Sequence, residues 1–126
     1  MARSKFEEVL QKKLKNCDYE PTKVKYKWEA AYIPDFVPRS DPNILIEVKG
    51  RFRTSNEARK YVAVIESNPD KQIVFIFMRP DLPMPSAQRR KDGTKRTHAE
   101  WAESHGFLWY TIDTIPKEWC NNESKF

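Results

Sequence analysis

This chain lacks the sequence motifs of zinc sites and of glycine-rich phosphate-binding loops. Its 126 residues contain 3 glycines, 2 histidines and 2 cysteines, and no Gly-rich phosphate loop, Ser-His-Asp set, helix-turn-helix or internal repeat is found. Cys17 and Cys120 lie near opposite ends, form no C-x-x-C pair and do not cluster with a histidine, which argues against a zinc site. His98 and His105 are interpreted as helix-end residues.

Long apolar segments are also missing. No apolar run approaches the length of a membrane span, and the charged N-terminal segment lacks the apolar core of a signal peptide. The two cysteines are interpreted as free thiols in a reducing compartment. We therefore expect a cytosolic protein with neither a membrane partner nor a small-molecule cofactor.

The composition indicates one basic globular domain. A length of 126 residues is within the range of a single domain. Charged residues make up 33% of the chain, its net charge is +5 and its pI is about 9.2. Such a balance favours a polyanionic partner, nucleic acid before membrane, because no basic amphipathic helix with an apolar Trp/Phe/Leu face is found.

Residues 32–51 carry the most informative pattern. Two short strands are predicted here, joined by a turn-prone segment rich in proline and polar residues. In the second strand side chains alternate between faces, so Glu47 and Lys49 share a face with Leu45. Asp35 lies at the end of the neighbouring strand, within reach of the same place. Two carboxylates that hold a divalent cation, beside a lysine that orients or deprotonates water, are what a metal-dependent phosphodiesterase requires.

Simpler roles for the same residues remain open at this point. Asp35 can cap a turn, and Glu47 and Lys49 can form a surface ion pair. Glu7 belongs to a capping box that begins at Ser4, and its helix can also aim it toward the two other carboxylates. The sequence excludes neither role for Glu7.

The remaining pattern predicts an α/β fold. A helix is expected from about Lys5 to Lys15, and an alternating strand over residues 23–28. A capping box at Thr54 opens a second helix, and the apolar run Gln72–Met78 predicts a strand buried on both faces, which completes a βαβ unit. An irregular loop, a third helix, a strand and a terminal helical turn follow over residues 79–96, 97–105, 107–111 and 116–119.

Basic residues cluster in three segments, which we predict to contact DNA phosphates beside such a site. These segments are the alternating strand, the residues that follow the Glu47–Lys49 strand, and the irregular loop. An edge strand blunted by lysines and a solvated charged loop are the alternatives. The predicted DNA-binding residues are Lys23, Lys25, Lys27, Arg51, Arg53, Arg89, Arg90, Lys91, Lys95 and Arg96.

Several short segments agree in order and spacing with one group of nucleases. They are Phe6-Glu7, Tyr32-Ile33-Pro34-Asp35-Phe36, Ile46-Glu47-Val48-Lys49-Gly50, Asn68-Pro69 before Ile73-Val74-Phe75, Ser104-His105-Gly106 and Ile115-Pro116-Lys117-Glu118-Trp119. The chain resembles the PD-(D/E)xK nuclease superfamily, and within it the bacteriophage endonuclease I family of Holliday-junction resolvases. The resemblance covers nearly the whole chain.

The resemblance implies a catalytic set of Glu7, Asp35, Glu47 and Lys49. One Mg²⁺ ion would be bound by Asp35 and Glu47 with the Val48 backbone carbonyl, and a second by Glu7 and Asp35. Mn²⁺ could substitute for Mg²⁺. Lys49 would contact the scissile phosphate or the attacking water. The implied reaction is hydrolysis of a DNA phosphodiester, which leaves a 5′-phosphate and a 3′-hydroxyl.

The resemblance also implies a restriction-endonuclease-like core, with a mixed central sheet flanked by helices, in an intertwined homodimer. Residues 1–126 would form a single nuclease domain, with about residues 1–30 exchanged between subunits through a bridge strand near residues 23–28. The substrate would be four-way and other branched DNA, in the host cytoplasm if the protein is phage-encoded. The alternatives are a related nuclease for ordinary duplex or single-stranded DNA and, less favoured, a junction-binding protein without activity.

Overall fold

The computed structural model describes residues 5–26 and 30–120, and the side chains at 25, 26, 30 and 31 lie outside this description. Within these residues the chain forms three α-helices, seven strands and one short 3-10 helix. The helices are α1 Lys5–Lys13, α2 Ser55–Ser67 and α3 His98–Ser104, and the 3-10 helix is Lys117–Trp119. The strands are β1 Cys17–Tyr19, β2 Val24–Tyr26, β3 Ala30–Tyr32, β4 Phe36–Pro38, β5 Ile44–Lys49, β6 Gln72–Phe77 and β7 Leu108–Tyr110.

Five of the strands form one mixed sheet in the order β1-β4-β5-β6-β7. β5, β6 and β7 run parallel, whereas β4 is antiparallel to both β1 and β5. This mixed sheet and its three helices confirm the predicted α/β class. The intertwined dimer stays a prediction.

The segment β5–α2–β6 is the predicted βαβ unit. Thr54 caps α2 by accepting a hydrogen bond from the Glu57 N–H at 3.1 Å, and Asn68 ends the helix. β6 is paired on both edges, and its residues Ile73–Phe77 are buried, as the continuous apolar run predicts. β5 lies between β6 of this unit and β4.

The alternation of β5 directs its side chains into two separate cores. Leu45 packs in a cluster with residues of α2, β6 and α3. Ile46 and Val48 pack in a second cluster, with residues of α1 and with Trp119. Glu47 shares the side of Leu45, because its carboxylate is bonded to a tyrosine of the first cluster. The predicted faces of this strand are therefore correct.

The N-terminal elements differ from the prediction in their bounds. α1 ends at Lys13 rather than at about Lys15, because the chain turns at residues 15 and 16 to enter β1. β2 covers part of the predicted strand and pairs antiparallel with β3 in a separate two-stranded sheet. Ser4, the predicted N-cap, and residues 27–29 lie outside the described residues. Exchange of residues 1–30 through a bridge strand stays a prediction.

The C-terminal half follows its sequence signals closely. Residues 79–96 are irregular apart from one isolated bridge, and the capping box at the start of α3 is complete between Thr97 and Glu100. Gly106 follows α3 with a φ of +78°, a left-handed conformation that glycine adopts without strain. In the part of the chain that the structure describes, no helix is long and apolar enough to cross a membrane.

Candidate active site

Asp35 occupies the place where β4 and β5 separate. β4 pairs with β5 through Phe36 and Ile46, and Asp35 directly precedes the first residue of β4. The Val48 N–H donates its hydrogen bond to Asp35 Oδ2, at 2.9 Å. Because the donor is a backbone group of β5, this bond fixes the carboxylate beside the strand that carries Glu47 and Lys49.

Glu47 is buried, with 7% of its surface exposed. The Tyr61 hydroxyl donates to Oε1 at 2.8 Å, and the Tyr32 hydroxyl donates to Oε2 at 2.5 Å. Burial raises the pKa of Glu47, while the two tyrosine bonds and the charge of Lys49 act in the opposite direction. The hydrogen bonds from the two tyrosine hydroxyls replace part of the hydrogen bonding to water that the carboxylate loses on burial.

Lys49 forms an ion pair with Glu57 rather than with Glu47. Its Nζ lies 2.7 Å from Glu57 Oε2, and only 15% of the lysine side chain is exposed. Glu57 Oε1 accepts a hydrogen bond from the Arg53 N–H at 2.8 Å, so the glutamate is held at both oxygens. The alternative of a surface ion pair between Glu47 and Lys49 is therefore wrong, because each side chain has other partners.

Glu7 and Lys49 line the same open cavity, with a volume of about 520 Å³. Val48 also lines it, so the C-terminal end of β5 forms part of its wall. The other three predicted catalytic side chains lie close enough to Asp35 for their charges to act on it. The structure thus brings Glu7, Asp35, Glu47 and Lys49 into one neighbourhood.

The Asp35 carboxylate is destabilised mainly by burial and further by the charge of Glu47. Burial, followed by the charge of Glu47, raises the pKa of Asp35 to about 8, against the lowering effects of the Val48 N–H and of Lys49. A bound cation would relieve both the desolvation and the mutual repulsion of two such carboxylates. Their oxygens are the donors that Mg²⁺ prefers, so the residues present fit this ion.

The carboxylates alone do not form a complete cage. Within residues 5–26 and 30–120, no three His, Cys, Asp or Glu side chains come together as a metal-binding group. Mg²⁺ commonly binds through one or two carboxylates and keeps several waters. A site that relies on Asp35 and Glu47 with backbone oxygen and water is consistent with this.

Comparison with known proteins identifies the family. The sequence matches the family model described as Phage endonuclease I over residues 2–126. The chain belongs to the Phage endonuclease I family. A search of curated proteins gave no match. Membership implies a nuclease whose substrate is DNA, in a family of junction-resolving enzymes.

Three arginines line the cavity of this nuclease. Arg51 and Arg53 were predicted to bind DNA, and Arg79 joins them, although sequence reasoning placed it only at the start of the irregular loop. The strand order of the βαβ unit could have predicted the position of Arg79. β5 and β6 are parallel with Lys49 opposite Phe77, so the chain two residues beyond each strand emerges at the same edge of the sheet.

Of the remaining predicted DNA-binding residues, those whose side chains the structure describes do not line this cavity. Arg90 donates to both oxygens of Glu100, at 3.0 and 3.1 Å, and Arg89 donates to the Gly93 carbonyl at 2.7 Å. The loop therefore has internal order. Lys23, Arg89, Arg90, Lys91, Lys95 and Arg96 are all exposed, and the Lys25 side chain and Lys27 lie outside the described residues.

His98 is the first residue of α3, in agreement with its interpretation as a helix-end residue, and it has a structural role. It is fully buried, its Nε2 accepts a hydrogen bond from the Phe52 N–H at 2.8 Å, and its Nδ1 donates to the Leu82 carbonyl at 2.8 Å. Burial lowers the pKa of His98, which favours the neutral ring that these two bonds need. His98 thereby ties the segment after β5 to the 79–96 loop.

The cysteines are free thiols, as predicted. Cys17 is buried in β1 and donates a hydrogen bond to the Trp119 carbonyl at 3.6 Å. Burial raises the pKa of Cys17 to about 12, so its thiol stays protonated and unreactive at neutral pH.

Proposed function

We propose that the protein is a divalent-metal-dependent, structure-selective DNA endonuclease. It resolves four-way and other branched junctions by paired phosphodiester hydrolysis and leaves 5′-phosphate ends. The observation that carries the proposal is the approach of Asp35 to the Val48 N–H, beside buried Glu47 and beside a cavity lined by Glu7 and Lys49. Membership in a nuclease family supports it.

The metal-binding residues would be the three carboxylates. Asp35 and Glu47 would hold one Mg²⁺ with the Val48 carbonyl, and Glu7 and Asp35 would hold a second, with Mn²⁺ as a substitute. When bound, such an ion stabilises negative charge on the phosphate. The burial of Asp35 and its repulsion by Glu47, both of which a cation would relieve, support this assignment.

Lys49 would act on the phosphate or on the attacking water. Its ammonium group lies at the cavity wall, held by Glu57 at 2.7 Å. Arg51, Arg53 and Arg79 would neutralise the incoming DNA backbone, because phosphate binding by arginine combines charge with directed hydrogen bonds. These contacts read the position of the backbone rather than its sequence.

A homodimer would place two such sites on one rigid body. Exchange of about residues 1–30 would supply each site with the Glu7 of the other subunit, and two fixed sites could cut opposing strands of a junction. Mixing Glu7→Ala with Asp35→Ala chains tests the exchange. A heterodimer with at most one working site is expected, whereas two working sites would contradict a shared site.

A gel cleavage assay tests the activity. A four-way junction and a linear duplex of the same sequence are incubated with the protein, in Mg²⁺ or in chelator. We expect Mg²⁺-dependent paired nicks near the branch, with the duplex spared. Equal cutting of both substrates would favour a general nuclease, and tight junction binding without cutting in any divalent metal would favour a binding protein.

Variants connect this activity to the site. Asp35→Ala and Lys49→Ala are expected to abolish cleavage while junction binding, measured by gel shift, is largely retained. Asp113→Ala is the matched control, because this carboxylate is exposed in the turn after β7. Cleavage at the wild-type rate by either site variant would refute the assignment.

A further inference from the structure

The carboxylate of Glu47 has two phenolic partners that come from different parts of the fold. Tyr32 ends β3 of the small sheet, and Tyr61 lies in the middle of α2. Their hydroxyls donate to opposite oxygens of Glu47, at 2.5 and 2.8 Å. The two rings pack edge to face, with centroids 5.7 Å apart and planes at 86°. Glu47 is thus held by two separate elements besides its own strand.

Both tyrosines are immobilised by their surroundings. Tyr32 is 4% and Tyr61 1% exposed, and the Tyr61 ring contacts Phe52 and Phe75 at centroid distances of 5.9 and 5.2 Å. Since both rings are buried and packed, each hydroxyl holds one oxygen of the Glu47 carboxylate in place.

The hydroxyls act as donors to this carboxylate. An ionised carboxylate has no proton to give, so each contact is a hydrogen bond donated by a tyrosine O–H. An ionised carboxylate oxygen has two lone pairs. Each tyrosine uses one lone pair of one oxygen, so the second lone pair of each oxygen can bind a cation.

We infer that Tyr32 and Tyr61 are positioning residues, which orient the Glu47 carboxylate so that its remaining lone pairs bind the divalent cation. This inference rests on the proposed function, because it takes Glu47 as a metal ligand. Groups that hydrogen-bond to a ligating carboxylate contribute to metal affinity, and their removal typically weakens binding by about 10- to 100-fold. Neither tyrosine touches the substrate in this assignment.

The test measures metal binding without DNA, so that it does not depend on activity. Mn²⁺ is titrated into the wild-type protein and into Tyr32→Phe and Tyr61→Phe by calorimetry. We expect each variant to bind Mn²⁺ about tenfold more weakly or worse. Tyr110→Phe is the matched control, because this half-buried tyrosine of β7 belongs to the other core cluster, and its affinity should equal that of the wild type.

A second readout separates positioning from simple loss of structure. Cleavage of the junction is measured against Mg²⁺ concentration, and the expected effect is a shift of half-saturation to higher Mg²⁺ with recovery of the rate at saturation. Far-UV circular dichroism checks the fold, and the Tyr32→Phe result decides if Tyr61→Phe fails to fold.

Each outcome has a definite meaning. Unchanged Mn²⁺ affinity in the folded variants would overturn the inference. Tighter binding would also overturn it, since it would mean that the hydroxyls compete with the cation for the carboxylate. A wild-type protein that binds no Mn²⁺ and cuts no junction would overturn the proposed function itself.

Discussion

Replacement of Asp35 by asparagine should stabilise the metal-free protein while it removes activity. Asp35 is a destabilised charge, because burial and the charge of Glu47 raise its pKa to about 8. Asparagine has the same shape, and its amide oxygen can still accept the hydrogen bond from the Val48 N–H. The substitution therefore removes the buried charge and keeps the backbone contact.

The magnitude follows from the shift in pKa. The folded chain binds the Asp35 proton more tightly than the unfolded chain does, so the penalty is absent below a pH of about 4 and grows as the pH rises toward about 8. At pH 7 the penalty is about three pKa units, or about 4 kcal/mol. Because part of the side chain is exposed and the site can relax, we expect a gain of about 2 kcal/mol.

Thermal unfolding in chelator measures this gain. For a domain of this size, about 2 kcal/mol corresponds to a rise in Tm of about 8 °C. The difference between Asp35→Asn and the wild type should be large at pH 8 and vanish toward pH 4. Asp113→Asn, an exposed carboxylate, is the control and should change little. Mg²⁺ should raise the Tm of the wild type and not that of Asp35→Asn.

Two results would refute this reasoning. If Asp35→Asn is no more stable than the wild type at pH 8 in chelator, the carboxylate is not strained by burial and repulsion. If Mg²⁺ raises the Tm of Asp35→Asn as much as that of the wild type, the ion binds elsewhere.

Three further predictions concern the groups around the site. Glu57→Gln should lower the cleavage rate at saturating Mg²⁺ without changing Mn²⁺ affinity, because it weakens the ion pair that holds Lys49; a calorimetric change in affinity would contradict this. Arg79→Ala should weaken junction binding and reduce the slope of log Kd against log salt concentration by about the value of one phosphate contact. An unchanged slope, measured by gel shift, would exclude a phosphate contact of Arg79. His98→Ala should cost about 3 kcal/mol in urea unfolding, because it leaves the buried Phe52 N–H without its partner and removes a fully buried ring. Because the pKa of His98 is lowered in the folded chain, the unfolded chain binds its proton more readily. The contribution of His98 to the free energy of unfolding is therefore complete above about pH 6.5 and falls at lower pH. A wild type that gains stability relative to the variant as the pH falls through this range would contradict this.

Local signals in the sequence sufficed where the determining contacts are local. The alternation of β5 predicted which side chains share a face, and the apolar run of β6 predicted a strand paired on both edges. The capping box at Thr97 is complete in the structure, because its partners are three residues apart on one turn. At Thr54 the same pattern caps the helix, but Glu57 turns its carboxylate to the Arg53 N–H and to Lys49 instead.

By itself, then, the sequence determined the α/β class, the family and the stretch of chain that holds Asp35, Glu47 and Lys49. Only the tertiary structure decided the partners of these groups: Val48 for Asp35, two tyrosines for Glu47, and Glu57 for Lys49. The physical reason is that a buried or half-buried polar group must be satisfied by whatever donor or acceptor the fold brings within about 3 Å. The residue pattern along a strand predicts which face of the sheet each side chain points to. It carries no information about which residues of other elements will contact that side chain.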